Sequence, residues 1–336
     1  MYAAYTKVQD AQKVKQFLVK NKILHQDYLP VKVFDFIYFP MTKKMEVPKA
    51  KTVIPKLSFP SRKKIITAEE LLKKKLTERQ LKLLPQTQEI VGDILILEIP
   101  TDLQKKEKLI AEAYLAQHKN INTVVKKVKT HSGTFRTRGV KIIAGKRRKE
   151  TLHQENGVKM KVHLENMYFS ARSGNERLRI AKQVKKNENI LVMFSGAAPY
   201  PLVIAKHSPA AMVYGIEMNP LAHLAALSNV SLNKLDSKIK IFEGDVLHIL
   251  PKIKKKFNRI IMPLPKTGED FLGLALRKAK SGTVIHLYAF LQENDIDKEA
   301  KKIKELSNNS VRVLRKVKCG QFSPGTFRVC FDLKVK

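Results

Sequence analysis

The C-terminal half of the sequence predicts an α/β domain built on a mostly parallel sheet of seven strands. Three observations carry this. From about residue 158 onward, apolar strand-like runs alternate with helical patterns, as in a parallel sheet with crossover helices. The last two runs are joined only by Gly320-Gln321-Phe322-Ser323-Pro324-Gly325. That is short for a crossover helix, so these two strands form an antiparallel pair. Three successive strands also end in small or acidic residues, at the edge where open α/β sheets hold ligands.

The chain of 336 residues suggests about two domains, and its 43% hydrophobic content is ordinary for folded protein. Its charge is not ordinary: 65 Lys+Arg against 30 Asp+Glu give a formal net charge of +35. Such a field draws in polyanions, pointing to nucleic acid or an anionic membrane surface. A lysine-rich solvated surface is the bland alternative. No run approaches the ~18 apolar residues of a membrane span, and Met1 to Lys7 lacks a signal-peptide core. Two cysteines, Cys319 and Cys330, imply neither a disulfide framework nor a zinc site, and read as buried free thiols. A cytoplasmic protein without a metal is expected.

The first block, 1–55, carries an amphipathic helix after Asp10 (Ala11, Val14, Phe17 and Leu18 on one face) and an aromatic strand over Val33–Phe39. The stretch 48–64 is rich in proline and lysine, with a linker expected at 56–65, although Val53, Ile54 and Leu57 could tack part of the stretch to a neighbouring surface. The second block, 66–157, has three capping-box pairs: Thr67 with Glu70, Thr77 with Gln80, and Thr101 with Gln104. Ile90–Leu97 reads as a buried strand, Val124-Val125 and Ile142-Ile143 mark others, and the whole is a small α+β module. A hairpin turning at Glu155-Asn156-Gly157 leads into Val158, Met160 and Val162. The third block, 158–336, holds strands at Ile190–Phe194, Met212–Glu217, Ile239–Phe242, Arg259–Met262, Val284–Tyr288, Val311–Lys318 and Phe327–Leu333.

Chemistry is expected at the strand ends. Phe194-Ser195-Gly196-Ala197-Ala198-Pro199 offers small residues and a helix N-terminus, Glu217 suits ribose hydroxyls, and Gly244-Asp245 follows the third strand. Each has a plain structural reading, Asp245 as a helix cap for example. Together they favour a nucleoside-bearing cofactor. The fourth strand ends in Met262-Pro263-Leu264-Pro265-Lys266, a rigid loop where a substrate would meet that cofactor.

Over essentially its whole length the chain resembles the archaeal and eukaryotic tRNA (guanine-37-N1)-methyltransferase family. The resemblance is carried by Phe135-Arg136-Thr137-Arg138, His153-Gln154-Glu155-Asn156-Gly157, Tyr168-Phe169-Ser170-Ala171-Arg172, Gly174-Asn175-Glu176-Arg177-Leu178-Arg179-Ile180, Met193-Phe194-Ser195-Gly196, Gly215-Ile216-Glu217-Met218-Asn219-Pro220, Asn233-Lys234-Leu235, Gly244-Asp245-Val246 and Leu264-Pro265-Lys266. It implies a class I, Rossmann-like seven-stranded methyltransferase domain (158–336), a small α+β RNA-binding domain (66–157) and a small N-terminal tRNA-recognition domain (1–55). The implied cofactor is S-adenosylmethionine. The implied partner is tRNA at its anticodon loop, with the elbow open as a further contact, bound by a monomer.

Residue by residue, the resemblance makes Glu176 the base that takes the N1 proton of guanine, and Arg136 the group meeting O6 as negative charge develops there. Without it, Glu176 reads as a first-turn helix acid and Arg136 as a phosphate contact or a solvated side chain. It places Tyr168, Met193, Phe194, Gly196, Glu217, Met218, Asp245, Val246, Leu264 and Pro265 at the cofactor, with Glu217 on the ribose and Asp245 near adenine. Arg138, Lys146, Arg147, Arg148 and Arg172 are the candidates for phosphate contacts. Three positions depart from the family: Val192 replaces an acid, Gly196-Ala197-Ala198 a glycine-rich turn, and Pro263 an orienting asparagine. Those departures leave open methyl transfer to a wyosine-type intermediate at the same nucleotide, or a non-catalytic tRNA-binding relative.

Overall fold

The computed structural model describes residues 1–62, 66–128, 133, 135–263 and 268–336. They divide into two compact units, Met1–Thr67 and Ala68–Lys336.

In the first unit, β1 (Tyr2–Lys7), α1 (Ala11–Lys20), β2 (Val31–Val33), β3 (Phe36–Met41) and β4 (Lys51–Val53) form a sheet ordered β2-β3-β1-β4 under one helix. Helix α1 buries Val14 and Leu18 against Ala4, Ile23, Phe39 and Met41. The strand expected over Val33–Phe39 is instead a hairpin. Phe34 takes φ +49° and stands 90% exposed, while Val33 pairs with Phe36. Asp35, a turn-forming residue inside an aromatic run, was the local signal for that break. The expected linker is held to this unit as far as Arg62 by Leu29 N–H to Pro60 O (2.8 Å) and Arg62 N–H to Asp27 O (2.6 Å).

The second unit opens with α2 (Ala68–Leu72), α3 (Glu78–Lys82), β5 (Glu89–Val91), β6 (Ile94–Leu97), α4 (Glu107–Gln117), β7 (Thr123–Lys127) and β8 (Val140–Gly145). The sheet order is β5-β6-β7-β8, with α4 as crossover between the parallel β6 and β7. Both halves of the Thr77–Gln80 capping box form. Thr101 opens a 3-10 stretch without a side-chain cap, and the α-helix starts only at Glu107. The single strand expected over Ile90–Leu97 is two, broken at Gly92-Asp93. Gly92 sits at φ +57°, where a Cβ would overlap Thr151 Oγ1 and lie 2.7 Å from Leu152 O. Only glycine fits that docking of the turn onto the next hairpin.

That hairpin, β9 (Glu150–Glu155) and β10 (Val158–His163), turns at Asn156-Gly157 with φ +45° and +69°, as expected of this pair. A boundary at 157 therefore falls in its turn. There follow α5 (Gly174–Ala181), β11 (Asn189–Met193), α6 (Pro199–His207), β12 (Met212–Glu217), α7 (Pro220–Leu232), β13 (Ile239–Glu243), α8 (Val246–Lys252), β14 (Phe257–Met262), α9 (Leu272–Arg277), β15 (Ala279–Gln292), α10 (Ile296–Leu306), β16 (Val311–Ser323) and β17 (Thr326–Val335).

The seven strands lie in the order β13-β12-β11-β14-β15-β17-β16. The first five are parallel, and β17 runs antiparallel to both of its neighbours, β15 and β16. Order reverses between β11 and β14, which opens the ligand crevice beyond their carboxyl ends. Strand β11 shows why the domain needs helices on both faces. Ile190 and Val192 enter one core with α6 and α7, while Leu191 and Met193 enter another with α8, α9 and α10. Among the described residues, no helix is long and apolar enough to cross a membrane.

Candidate active site

The turn after β11 is held in a sparsely allowed backbone. Phe194, Gly196 and Ala198 take φ +59°, +57° and +66°. For the two non-glycine residues this costs about 1–2 kcal/mol each. Packing sustains it: Ser195 N–H bonds Ile216 O at 2.8 Å, and the Phe194 ring meets Phe271 edge-on at 4.9 Å. Pro199 then starts α6, where its missing donor costs nothing. Glu217, ending β12, closes the turn. Its carboxylate accepts the N–H of Gly196 at 2.6 Å and of Asn219 at 2.8 Å. Burial pushes that carboxyl above its ordinary value, against the pull of these backbone donors.

These features fit a nucleoside-bearing ligand. A mostly buried carboxylate receives only backbone donors and can accept hydroxyls. Ser195 Oγ is buried without a hydrogen-bond partner, and half-buried Gly196 lines the crevice just ahead of α6. The crevice beside the turn is lined by Tyr168, Phe194, Gly196 and Pro263, as the sequence led one to expect, but also by Arg177, Tyr200, Tyr288 and Arg328.

The β9–β10 hairpin positions the acid. Asn156 Nδ2 donates to Gly174 O at 2.8 Å, fixing the start of α5, and Arg177 clamps Glu155 through two guanidinium nitrogens. Glu176, in the first turn of α5, is only 4% exposed. Its carboxylate accepts from Arg179 Nε (2.6 Å) and Nη2 (2.8 Å), and from Tyr288 Oη (2.6 Å). Arg179 also grips Asp332 at 2.8 and 3.1 Å. Asp332 takes a 2.6 Å bond from His286 Nδ1, and Arg259 Nη1 lies 2.7 Å from His286 Nε2. A guanidinium can only donate, so His286 is neutral with its proton on Nδ1. Burial pushes His286 below its ordinary value despite Asp332. Burial alone would raise Asp332, yet the donors His286 and Arg179 hold its carboxyl well below the usual carboxylate range.

Arg136 is half-buried with its own backbone left-handed, at φ +50°. Burial pushes its guanidinium below its ordinary value, while the nearby Tyr168 phenol favours the charged form. It is not among the residues that line the crevice.

Other expected residues are placed differently. Met193 and Val246 lie wholly in the core behind the sheet, so they shape the site without facing the crevice. Met218 is half-buried, and Asp245 caps α8 through Leu247 N–H at 2.8 Å. Leu264 and Pro265 lie outside the described residues. Among the expected phosphate contacts, Arg138 is corrected: it is 6% exposed and spends its guanidinium on Glu89 at 2.9 and 3.3 Å. Arg148 is paired with Asp93 and with Glu150 O. Lys146, Arg147 and Arg172 are exposed.

Sequence reasoning missed Tyr200, Tyr288, Arg177 and Arg328. Tyr288 had a signal, since it ends the fifth expected strand at the ligand-binding edge. Arg328 had none. It reaches the crevice from the inserted strand β17, held by Ser173 Oγ at 2.5 Å and Cys319 O at 3.0 Å.

Comparison with known proteins gives a consistent result. The sequence model of the TRM5/TYW2 methyltransferase domain matches residues 151–314, and that of the TYW2 N-terminal domain matches residues 68–148. A tRNA (guanine(37)-N(1))-methyltransferase, Trm5b, of Pyrococcus abyssi is 35% identical over 75% of this chain and 76% of its own. The Trm5b of Methanocaldococcus jannaschii is 32% identical over 96% of each chain. A tRNA (guanine(37)-N(1))/4-demethylwyosine(37)-methyltransferase, Taw22, of Nanoarchaeum equitans is 30% identical over 68% of this chain and 91% of its own. Among solved structures, Trm5b from Pyrococcus abyssi superposes with a TM-score of 0.74 at 29% identity, covering 100% of this chain and 99% of its own. A complex of aTrm5 with tRNALeu superposes with a TM-score of 0.71 at 28% identity, covering 100% of each chain.

Proposed function

The chain belongs to the TRM5/TYW2 methyltransferase family, and from that premise we propose that it methylates N1 of guanosine 37 in tRNA with S-adenosylmethionine. One observation carries the reading: the chain matches a guanine-37-N1 methyltransferase along 96% of both lengths. When bound, the cofactor supplies an already activated methyl group on a sulfonium, so the protein must position, deprotonate and shield.

The residue roles come from the family resemblance. Glu217 takes the ribose hydroxyls, the 194–199 turn receives the cofactor backbone-on, and Tyr168 and Phe194 wall it. Asp245 takes the adenine, using the carboxylate oxygen that Leu247 N–H does not occupy. Glu176 is the acceptor of the N1 proton, because a neutral guanine N1 is a poor nucleophile until deprotonated. Arg136 meets O6, where the negative charge collects. The target base must leave the anticodon-loop stack to reach this crevice. Lys146, Arg147 and Arg172 contact phosphates, and residues 1–55 act as a separate tRNA checkpoint. The enzyme works as a cytoplasmic monomer.

Pro263 favours a second reading. It lines the crevice where the family resemblance expects an orienting asparagine. A looser hold there suits a bulkier 4-demethylwyosine at nucleotide 37. Methyl transfer to tRNA carrying guanosine 37 or its precursor-modified form separates the two, with mass spectrometry identifying the product nucleoside. No transfer to either, with S-adenosylmethionine bound, would leave only the non-catalytic relative.

A further inference from the structure

Glu176, the proposed base, does not itself line the crevice. It is 4% exposed, while Tyr288, whose hydroxyl it accepts, lines the cavity together with Tyr200. Tyr288 Oη donates to Glu176 Oε1 at 2.6 Å and receives the hydroxyl of Tyr200 at 3.0 Å. A phenol hydroxyl donates its one proton and accepts through its oxygen. Tyr200 holds the acceptor side with a neutral hydroxyl that can rotate, so a donor arriving from the crevice can take that place. The groups around this chain fix its direction. Arg179, anchored on Asp332, holds Glu176 in place as the acceptor. Arg328, bonded to Ser173 and Cys319, lies close enough to both phenols to favour negative charge on them.

We propose that Tyr288 is the proton relay between the substrate base and Glu176. The N1–H bond of guanine breaks as its proton passes to Tyr288 Oη. In the same event the proton already on Tyr288 Oη passes to Glu176 Oε1. The electron pair left on N1 forms the bond to the methyl group as the methyl–sulfur bond of the sulfonium breaks, its electron pair staying on sulfur. The products are S-adenosylhomocysteine, N1-methylguanine, an unchanged tyrosine and a neutral Glu176 carboxylic acid, which returns its proton to water after release. Burial pushes the Tyr288 phenol well above its ordinary range, so the tyrosine passes the proton on and does not hold the charge. Tyr200 orients the relay by donating to it. The inference rests on the proposed methyl transfer and adds to it the route of the proton.

The test is single-turnover methyl transfer by the full chain on tRNA with guanosine 37. Wild type, Tyr288→Phe, Glu176→Gln and the double variant are compared, alongside dissociation constants for S-adenosylmethionine and tRNA. Each single variant is expected to slow transfer by about 10²–10⁴-fold, the usual span for a positioned acid–base group. The double variant should be no slower than the worse single, because both remove one chain. Both dissociation constants should stay within about threefold, far below a tenfold affinity change. Rates of the wild type in mixtures of light and heavy water should curve with deuterium content, as two protons in flight require. This measurement needs no variant to fold. A linear dependence, additive variants, or Tyr288→Phe within about threefold of wild type would overturn the relay and leave the methyltransferase reading standing. A wild type that binds both substrates yet methylates nothing would overturn both.

Discussion

Replacing Arg179 with methionine tests the buried network beneath the site. The guanidinium makes four bonds, at 2.6 and 2.8 Å to Glu176 and at 2.8 and 3.1 Å to Asp332. The two carboxylates it serves have side chains only 3% and 1% exposed, and its own is 23% exposed. Removing one partner of a buried pair leaves uncompensated charge and costs about 3–5 kcal/mol. Remaining donors, His286 on Asp332 and Tyr288 on Glu176, keep the loss from growing further. In a unit of this size such a loss lowers the melting midpoint by roughly 6–20 °C. The effect carries a pH signature. The Asp332 carboxyl is depressed in the folded state, so its stabilisation is present above its unfolded value and fades as pH falls toward the folded one. The gap between wild type and variant should therefore be full at about pH 7 and shrink below about pH 4. Urea unfolding followed by circular dichroism at both pH values measures it. A gap under about 1 kcal/mol at neutral pH, the size of a surface pair, would refute the buried-network account.

Other substitutions probe individual contacts. Glu217→Gln should weaken S-adenosylmethionine binding by roughly 10–100-fold in calorimetry, the loss of charged hydrogen-bond acceptance. Since burial raises that carboxyl, wild-type affinity should begin to decline, as pH falls, above the ordinary glutamate value of about 4.3. Gly92→Ala, at φ +57° and against Thr151 and Leu152, should cost about 2–5 kcal/mol in urea unfolding. Arg138→Ala and Arg147→Ala should separate structure from binding. The first removes the buried partner of Glu89 and lowers the melting midpoint. The second leaves the midpoint unchanged and reduces the salt slope of tRNA binding by about 0.7–0.9.

The sheet was legible because its residues obey local rules. The seven expected strands all form, β11 alternates Ile190 and Val192 against Leu191 and Met193, and the short 320–325 connection does pair β16 with β17. Its order, with β17 inserted between β15 and β16, was not legible, since nothing in either strand's pattern states its neighbour. Breaks inside apolar runs were also missed. Phe34 and Gly92 each take a left-handed backbone that composition alone does not announce. At the site, residues at strand ends could be read: Phe194, Gly196 and Glu217 converge as expected. Side chains meeting from distant elements could not. Arg138 reads as a free cation until Glu89 is seen beside it, and Tyr288 reads as a strand end whose partner, Glu176, stands 112 positions away in sequence.

The most direct measurement is transfer of labelled methyl from S-adenosylmethionine to otherwise identical tRNAs bearing guanosine or adenosine at position 37, with a chelator present. Label should appear only in the guanosine 37 tRNA and digest to 1-methylguanosine. Label in the adenosine 37 tRNA, methylation at another nucleotide, or no transfer by enzyme that binds both tRNA and cofactor would contradict the assignment.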